Sequence, residues 1–112
     1  VVSDAFVVEG YGTSVLESMA AGKPVLMTPQ PESVCRLLPS PPPVFGGATP
    51  DAIRDAILEA TDDRRRAALG AESRAWVERV HGHAAVAETY LGAYRSVLGI
   101  GDGVSATTAR PR

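Results

Sequence analysis

Two glutamates, Glu9 and Glu17, are separated by seven residues that include a glycine-rich turn. Gly10 and Gly12 let the backbone turn sharply and approach a ligand closely, because neither residue carries a Cβ atom. A glycine turn that leads into a helix offers free backbone N–H groups and the positive end of the helix dipole, and both favour phosphate. Carboxylates do not bind phosphate, but they accept hydrogen bonds strongly and suit hydroxyl groups. The segment therefore predicts a site for a ligand with phosphates and hydroxyls, and a nucleotide sugar fits this description.

Each of these residues can also have a purely structural role, without a bound ligand. Glu17 can be part of a helix capping box, Glu9 a solvated loop charge, and the two glycines a helix entrance. Taken singly, each structural interpretation is the more common one. The whole run from Glu9 to Val25 favours the binding site, because a motif is supported by its combined context.

The element that must position these residues is a short helix, predicted from about Ser14 to Ala21. Ser14 is a good N-cap residue, and Glu17 three residues later completes the Ser-x-x-Glu capping box. Gly22 suits the left-handed conformation of a C-terminal cap, and Pro24 cannot continue a helix. The residues expected on the apolar face are Leu16, Met19 and Ala20.

Three short apolar runs are predicted to be strands of a buried parallel sheet: Val1 to Val2, Val25 to Thr28, and Val44 to Phe45. Phe6, Val7 and Val8 could alternatively be the first strand itself, or they could belong to a loop before Glu9. Parallel strands are normally buried on both faces and need neighbours. We therefore expect the other strands upstream of the first residue, so that the chain is a fragment truncated at its N-terminus.

Four helices are predicted after the second strand. The first is short, beginning at Glu32 and running through Cys35 and Leu38. The next begins at Thr49, with Pro50 and Asp51 in its first turn, and either Asp62 or Asp63 caps the one after it. The last runs from about Ala84 to Leu98, where Gly99 ends it.

The long helices have apolar residues at helical spacing, which predicts one buried face for each. These positions are Ile53, Ala56, Ile57 and Ala60 in the first long helix, Leu69, Trp76, Val77 and Val80 in the second, and Val86, Tyr90, Tyr94 and Val97 in the third. The aromatic residues of the third helix are core or docking residues. Gly70 is expected to weaken the second helix, because glycine is a poor helix former.

The run from Glu9 to Val25 resembles a family of retaining glycosyltransferases with the GT-B fold, the group 1 glycosyltransferases of family four. Members of this family carry two glutamates separated by seven residues. The chain has EGYG and then VLESMAAGKPV, where that family commonly shows Glu-Gly-Phe-Gly and then Leu-Glu-Ala-Met-Ala-x-Gly-x-Pro-Val. The resemblance implies that Glu9 hydrogen-bonds hydroxyls of the donor sugar as the catalytic carboxylate. It implies that Gly10, Tyr11, Gly12 and Thr13 line the donor site, with backbone amides near the diphosphate. It also implies that Glu17 holds the nucleotide ribose.

The resemblance covers residues 1–98, strongly from Glu9 to Val25 and only as a helical pattern beyond Thr49. It implies a partial Rossmann-like C-terminal domain of a GT-B fold in residues 1–98, followed by a disordered tail in residues 99–112. The chain departs from the family where Pro29 and Gln30 stand in place of a glycine pair, although Pro31 and Glu32 match. The Arg and Lys that meet the diphosphate in that family would lie upstream.

The reaction implied is transfer of a sugar from a nucleotide sugar to an acceptor hydroxyl with retention, as in glycan biosynthesis. No metal or other cofactor is expected. The acceptor would be bound by a missing N-terminal domain, which could also associate with a membrane surface, so the expected location is the cytoplasm, including the inner face of the membrane. We expect the 112-residue chain alone to be inactive and poorly soluble.

Two other interpretations stay open. Another GT-B enzyme, such as a sugar-nucleotide epimerase or a phosphorylase-like transferase, would use different residues around the donor, and the EGYG run disfavours it. A non-catalytic helical interaction module could be built from the three helices after Thr49, with Glu9 to Val25 as scaffold.

Composition and the remaining polar residues exclude some functions. A net charge of −2 and a sequence pI near 5.6 disfavour nucleic-acid binding, which normally needs a basic face. Cys35 is the only cysteine, so no internal disulfide is possible, and it is expected to be a small buried residue. His81 and His83 without a third ligand nearby indicate a turn rather than a zinc site. The run from Asp62 to Arg66 is expected to be a solvated helix face.

Overall fold

The structure is a computed structural model of the chain, and it describes residues 1–3 and 10–100. Its elements are β1 (Val2–Ser3), α1 (Thr13–Ala20), β2 (Val25–Met27), α2 (Glu32–Cys35), β3 (Phe45–Gly46), α3 (Pro50–Glu59), α4 (Asp63–His81) and α5 (His83–Leu98). The chain divides into two compact units, Val1–Gly82 and His83–Arg112. The fold is α/β and helix-rich, as predicted. Within the described residues, no helix is both long and apolar enough to span a bilayer.

The strands of the described residues form one parallel sheet in the order β1-β2-β3. Val2 pairs with Val25, and Leu26 pairs with Phe45. All three predicted strands are confirmed, with shifts of about one residue at their ends. β2 is buried along its whole length because it lies between two neighbours and is covered by side chains on both faces.

The core of the first unit has two parts, because successive residues of β2 point to opposite faces of the sheet. On one face, Val25 and Met27 join residues of α1 and α4; that cluster consists of Val15, Met19, Val25, Met27 and Trp76. On the other face, Leu26 joins residues of β3 and α3; that cluster consists of Leu26, Phe45, Ala56 and Ala60. Helices therefore cover both faces of the sheet, with α1 and α4 together on one side.

Helix α1 begins one residue earlier than predicted, and the predicted capping box is wrong. Gly12 is the N-cap, in an extended conformation and without a side-chain cap hydrogen bond. Because Gly12 takes this position, Ser14 lies inside the first turn and Glu17 lies in the second turn. The predicted apolar face is also partly wrong, since the buried residues of α1 are Val15 and Met19, whereas Ala20 is exposed.

The C-terminal cap of α1 is confirmed. Gly22 has a positive φ of 69°. Its N–H donates to the carbonyl of Met19 at 2.9 Å, and the N–H of Lys23 donates to the carbonyl of Ser18 at 2.9 Å. These two bonds form a Schellman motif, which needs a left-handed residue and so favours glycine.

The starts of the later helices follow the local signals in the sequence. Thr49 caps α3 and accepts a hydrogen bond from the N–H of Ala52, and Asp62, rather than Asp63, caps α4 through the N–H of Arg65. In α3, Ala56 and Ala60 are buried as predicted, but Ile57 is exposed. α2 ends at Cys35, so its predicted extension to Leu38 is wrong.

The predicted buried face of α4 is confirmed at Trp76, but the prediction omitted Ser73. Trp76 is fully buried, while Leu69, Val77 and Val80 are half-buried. Ser73 is also fully buried, and its hydroxyl donates to the carbonyl of Pro43 at 3.2 Å. The indole N–H of Trp76 donates to the carbonyl of Ser40 at 3.0 Å. These bonds hold α4 against the proline-rich segment before β3.

The apolar face that the sequence predicts for helix α5 is exposed rather than buried. Val86, Tyr90, Tyr94 and Val97 are all exposed in the structure. The rings of Tyr90 and Tyr94 lie 6.4 Å apart, one turn of helix from each other. These side chains are not core residues, and the docking interpretation remains.

Gly70 has a role in packing that its helix propensity does not indicate. A Cβ atom at Gly70 would lie 2.3 Å from the carbonyl oxygen of Gly22, which is far inside the normal contact distance. Gly70 therefore lets α4 approach the C-terminal cap of α1. Glycine thus weakens the helix, as predicted, but permits a close contact that a Cβ atom would prevent.

Gly70→Ala should lower the free energy of unfolding by about 1–3 kcal/mol, although alanine is the better helix former, because the added methyl group overlaps a backbone carbonyl. Urea unfolding followed by Trp76 fluorescence and circular dichroism measures the change. The control is Gly92→Ala in α5, where an added Cβ atom meets nothing within 4 Å. This control should be neutral or slightly stabilising. A Gly70→Ala variant as stable as the wild type would contradict the packing role.

Candidate functional site

The candidate site lies where two loops meet beside the N-terminal end of α1. One loop leads into α1 through Gly10, Tyr11 and Gly12, and the other follows β2 from Thr28 to Pro31. In open parallel sheets, ligands bind outside the carboxyl ends of the strands. The loop after β2 begins at this edge of the sheet, so the site is at the expected edge of an α/β fold.

The N-terminal end of α1 is the part of the structure on which the predicted phosphate site depends. The carbonyl of Gly12 accepts hydrogen bonds from the N–H groups of Val15 at 3.2 Å and Leu16 at 3.4 Å, which closes the first turn. Thr13 is the first helical residue, and its N–H has no acceptor within the helix. Thr13 and Glu17 are both exposed and one turn apart on the same face.

Gly10 contacts the second loop through the side chain of Gln30. The N–H of Gly10 donates to Oε1 of Gln30 at 2.8 Å. Nε2 of Gln30 lies 3.4 Å from the carbonyl oxygens of both Gly10 and Thr28. Within the predicted phosphate-binding segment, the amide of Gly10 is therefore already bonded, and the amides at the start of α1 are the better candidates for phosphate.

The side chain of Tyr11 anchors the same loop to α4. Its ring makes edge contacts with Trp76 at 5.8 Å and His81 at 5.6 Å between ring centroids. Its hydroxyl lies 3.0 Å from Nε2 of His81. Burial raises the pKa of the Tyr11 phenol, and the nearby Cys35 thiol adds to this effect. The phenol is thus protonated at neutral pH and can donate to His81.

The predicted site residues have different positions in the structure. Glu9 lies outside the described residues. Gly10 and Tyr11 are held by side chains of other elements, whereas Gly12 and Thr13 form the exposed start of α1, and Glu17 follows on its exposed face. Gln30 and His81 were not predicted from the sequence as contacts of this loop. Their sequence separations of 20 and 70 residues explain this, because no local pattern reports such pairs.

The opposite end of α1 contains a shallow concavity of about 270 Å³. It is lined in part by Lys23, Asp63 and Arg66. Lys23 thus lies at the C-terminal end of α1, as predicted, and does not supply a cation to the phosphate end. Arg66 pairs with Asp63, so the run from Asp62 to Arg66 forms surface ion pairs and a helix start.

The described residues contain no metal-binding cluster near the candidate site or elsewhere. Among residues 1–3 and 10–100, no group of three or more His, Cys, Asp or Glu side chains could hold a metal ion. Comparisons with protein-family models, curated proteins and solved structures find no match.

Tyr11→Phe should lower the free energy of unfolding by about 0.5–1.5 kcal/mol, because it removes the hydroxyl that contacts His81 and keeps the ring contacts. The matched control is Tyr90→Phe in α5, whose side chain is 60% exposed and should tolerate the change. Thermal and urea unfolding of both variants tests the difference. Equal stability of Tyr11→Phe and wild type would show that the Tyr11–His81 contact contributes nothing.

Proposed function

We propose that this chain is the donor-binding part of a retaining glycosyltransferase, a partial Rossmann-like C-terminal domain of a GT-B fold. The observation that carries the proposal is the geometry of the α1 start. A glycine loop leads into a helix beside a parallel sheet, and an exposed carboxylate follows one turn later on the face of Thr13. The run from Glu9 to Val25, which contains these same residues, adds its resemblance to this enzyme family.

In this proposal, each part of a nucleotide sugar has its own binding group. The diphosphate lies at the amides of Gly12 and Thr13, where the helix dipole is positive. Glu17 lies about 6 Å further along the helix axis than Thr13 and accepts hydrogen bonds from the ribose hydroxyls. Glu9 accepts hydrogen bonds from hydroxyls of the donor sugar. The separation of one helical turn suits a ribose next to a diphosphate.

The reaction breaks the bond between the anomeric carbon of the sugar and the diphosphate oxygen. A new bond then joins the anomeric carbon to the acceptor oxygen, whose proton passes to the leaving diphosphate, and the anomeric configuration is retained. Negative charge increases on the leaving diphosphate as its bond breaks. Preorganised N–H groups at the α1 start would stabilise that charge without reorganisation. The same proposal includes two further parts. Cationic side chains upstream of this chain would meet the charge of the diphosphate, and an N-terminal domain would bind the acceptor.

A second candidate function, a helical interaction module, is supported only by α5. α3 packs on β3 and α4 packs on α1, so neither is available as a docking helix. In α5, the exposed residues Val86, Tyr90, Tyr94 and Val97 form an apolar stripe. This stripe is compatible with a donor-binding domain that also docks on a partner, whereas it offers no explanation for the glycine loop and Glu17.

Glu17→Gln in the full-length protein should weaken nucleoside diphosphate binding roughly tenfold to a hundredfold, because hydrogen bonds to charged groups contribute about 1.5–3 kcal/mol. Glu9→Gln should leave this affinity almost unchanged and lower turnover, since its partner is the sugar. Calorimetry with UDP, GDP, ADP and dTDP measures the affinities.

Glu88→Gln in α5 is the control for loss of one exposed carboxylate. Because Glu17 takes no part in a capping box, Glu17→Gln should melt at the wild-type temperature. Equal nucleotide affinities for wild type and Glu17→Gln would remove Glu17 from the site. Failure of the wild type to bind any of the four nucleotides would contradict the proposed function.

A further inference from the structure

The apolar stripe of α5 continues onto a second row of exposed side chains. Leu91 is 44% exposed and Leu98 is 67% exposed, and both lie beside Tyr94 on the helix. Together with two alanines they form a row with alternating spacings of three and four residues, which we call the α5 seam. The residues of the α5 seam are Ala84, Ala87, Leu91, Tyr94 and Leu98. This heptad spacing is typical of a helix that packs lengthwise against a second helix.

Two opposite charges lie along one edge of the α5 seam. Glu88 and Arg95 are both exposed, and in heptad terms both occupy the position next to the seam at which paired helices form ion pairs. About 10 Å of helix separates them, so they cannot pair with each other. Within the part of the chain that the structure describes, neither forms an ion pair with another residue. The edge therefore presents one carboxylate and one guanidinium to a neighbouring helix.

The order of these two charges matches a second copy of α5 in the antiparallel orientation. When a two-fold axis passes between Leu91 and Gly92, Glu88 of each helix is level with Arg95 of the other, which gives two ion pairs. In a parallel pair, each charge would face its own copy and repel it. Antiparallel packing also places opposite ends of the two helix dipoles together. The charges therefore favour another α5 as the partner and favour one orientation of it.

The sizes of the seam side chains fit the same arrangement. The N-terminal half of the α5 seam has the small residues Ala84 and Ala87, whereas its C-terminal half has the large ones. With the two-fold axis between residues 91 and 92, Leu98 of one helix is level with the space between the two alanines of the other. Large side chains then pack against small ones at both ends of the pair, which permits dense packing.

We propose that α5 is a dimerisation helix that pairs with α5 of a second copy of this chain, in antiparallel orientation along the α5 seam. The inference goes beyond the proposed function and does not depend on it. The helix has 16 residues and is about 24 Å long. Two helices of this length form an interface at or below the roughly 1,200 Å² at which stable interfaces begin. We therefore expect a reversible dimer with a Kd on the order of 10 µM.

Sedimentation velocity of the protein at about 1–200 µM tests the pairing, since this range lies on both sides of the expected Kd. Glu88→Arg and Arg95→Glu each turn two attractions into two repulsions, and each should raise the dimer Kd roughly tenfold to thirtyfold. Leu91→Gln keeps a good helix former and removes an apolar contact from each helix, so it should weaken the dimer by a similar factor. The control is Glu72→Arg, which reverses an exposed charge on α4 and should keep the wild-type Kd.

An equimolar mixture of the two charge-reversal variants tests the pairing most sharply. In a mixed pair, one chain has two positive side chains at these positions and the other has two negative ones, so both ion pairs form again. The mixture should therefore regain the wild-type Kd to within about threefold. Circular dichroism identifies a variant that has not folded, and the remaining charge reversal and Leu91→Gln then test the pairing.

Three results would overturn the inference. A wild type that is monomeric over the whole concentration range would show that no second copy covers the α5 seam. A dimer that resists both charge reversals would be parallel or would use a different surface. A mixture that fails to regain the dimer would show that Glu88 and Arg95 do not face each other. None of these results bears on nucleotide binding, so the proposed function is tested separately.

Discussion

The packing of the buried Trp76 indole is the interaction on which the candidate site most depends. Trp76 fills the space between α1 and the sheet, where it packs with Val15 and Met27 in one cluster. Its N–H is satisfied by the carbonyl of Ser40, so burial leaves no polar atom without a partner. Truncation of a buried aromatic residue of this kind typically costs about 3–5 kcal/mol. Tyr11 packs against the same ring. The position of the loop before α1 therefore depends on the packing of the core.

The entrance to α1 is consequently held from two sides by residues far apart in the sequence. Tyr11 anchors it on α4 through Trp76 and His81, and Gln30 ties Gly10 to the loop after β2. A binding site gains affinity when its backbone is ordered before the ligand arrives, because the ordering entropy is then lost on folding rather than on binding. Such fixed N–H groups also suit a leaving diphosphate, whose charge must be met without movement of the protein. The packing of the first unit and the proposed chemistry thus require the same rigidity.

The parts of this structure that could be predicted from the sequence are those set by neighbouring residues. The caps at Gly22 and at the start of α4 depend on a few adjacent positions; Gly22 was correctly predicted, and Asp62 is the one of the two predicted candidates, Asp62 and Asp63, that caps α4. Ser14 shows the limit of such reasoning, because Gly12 in an extended conformation can serve as N-cap equally well and took the position instead. Contacts such as Tyr11 with His81 depend on how α4 crosses α1, which no local pattern encodes. Local helix caps could therefore be predicted, whereas the side chains that hold the loop before α1 could not.

The central claim is that the α1 start binds the diphosphate of a nucleotide, and two-dimensional amide NMR of the protein tests it most directly. On titration with UDP, GDP, ADP or dTDP, the account predicts saturable shifts centred on the amides of Gly12 and Thr13, with smaller shifts along the face of Glu17. The amide of Lys23, at the opposite end of α1, should not move. Shifts centred on Lys23 and Arg66, or no saturable shifts with any of the nucleotides, would contradict the account.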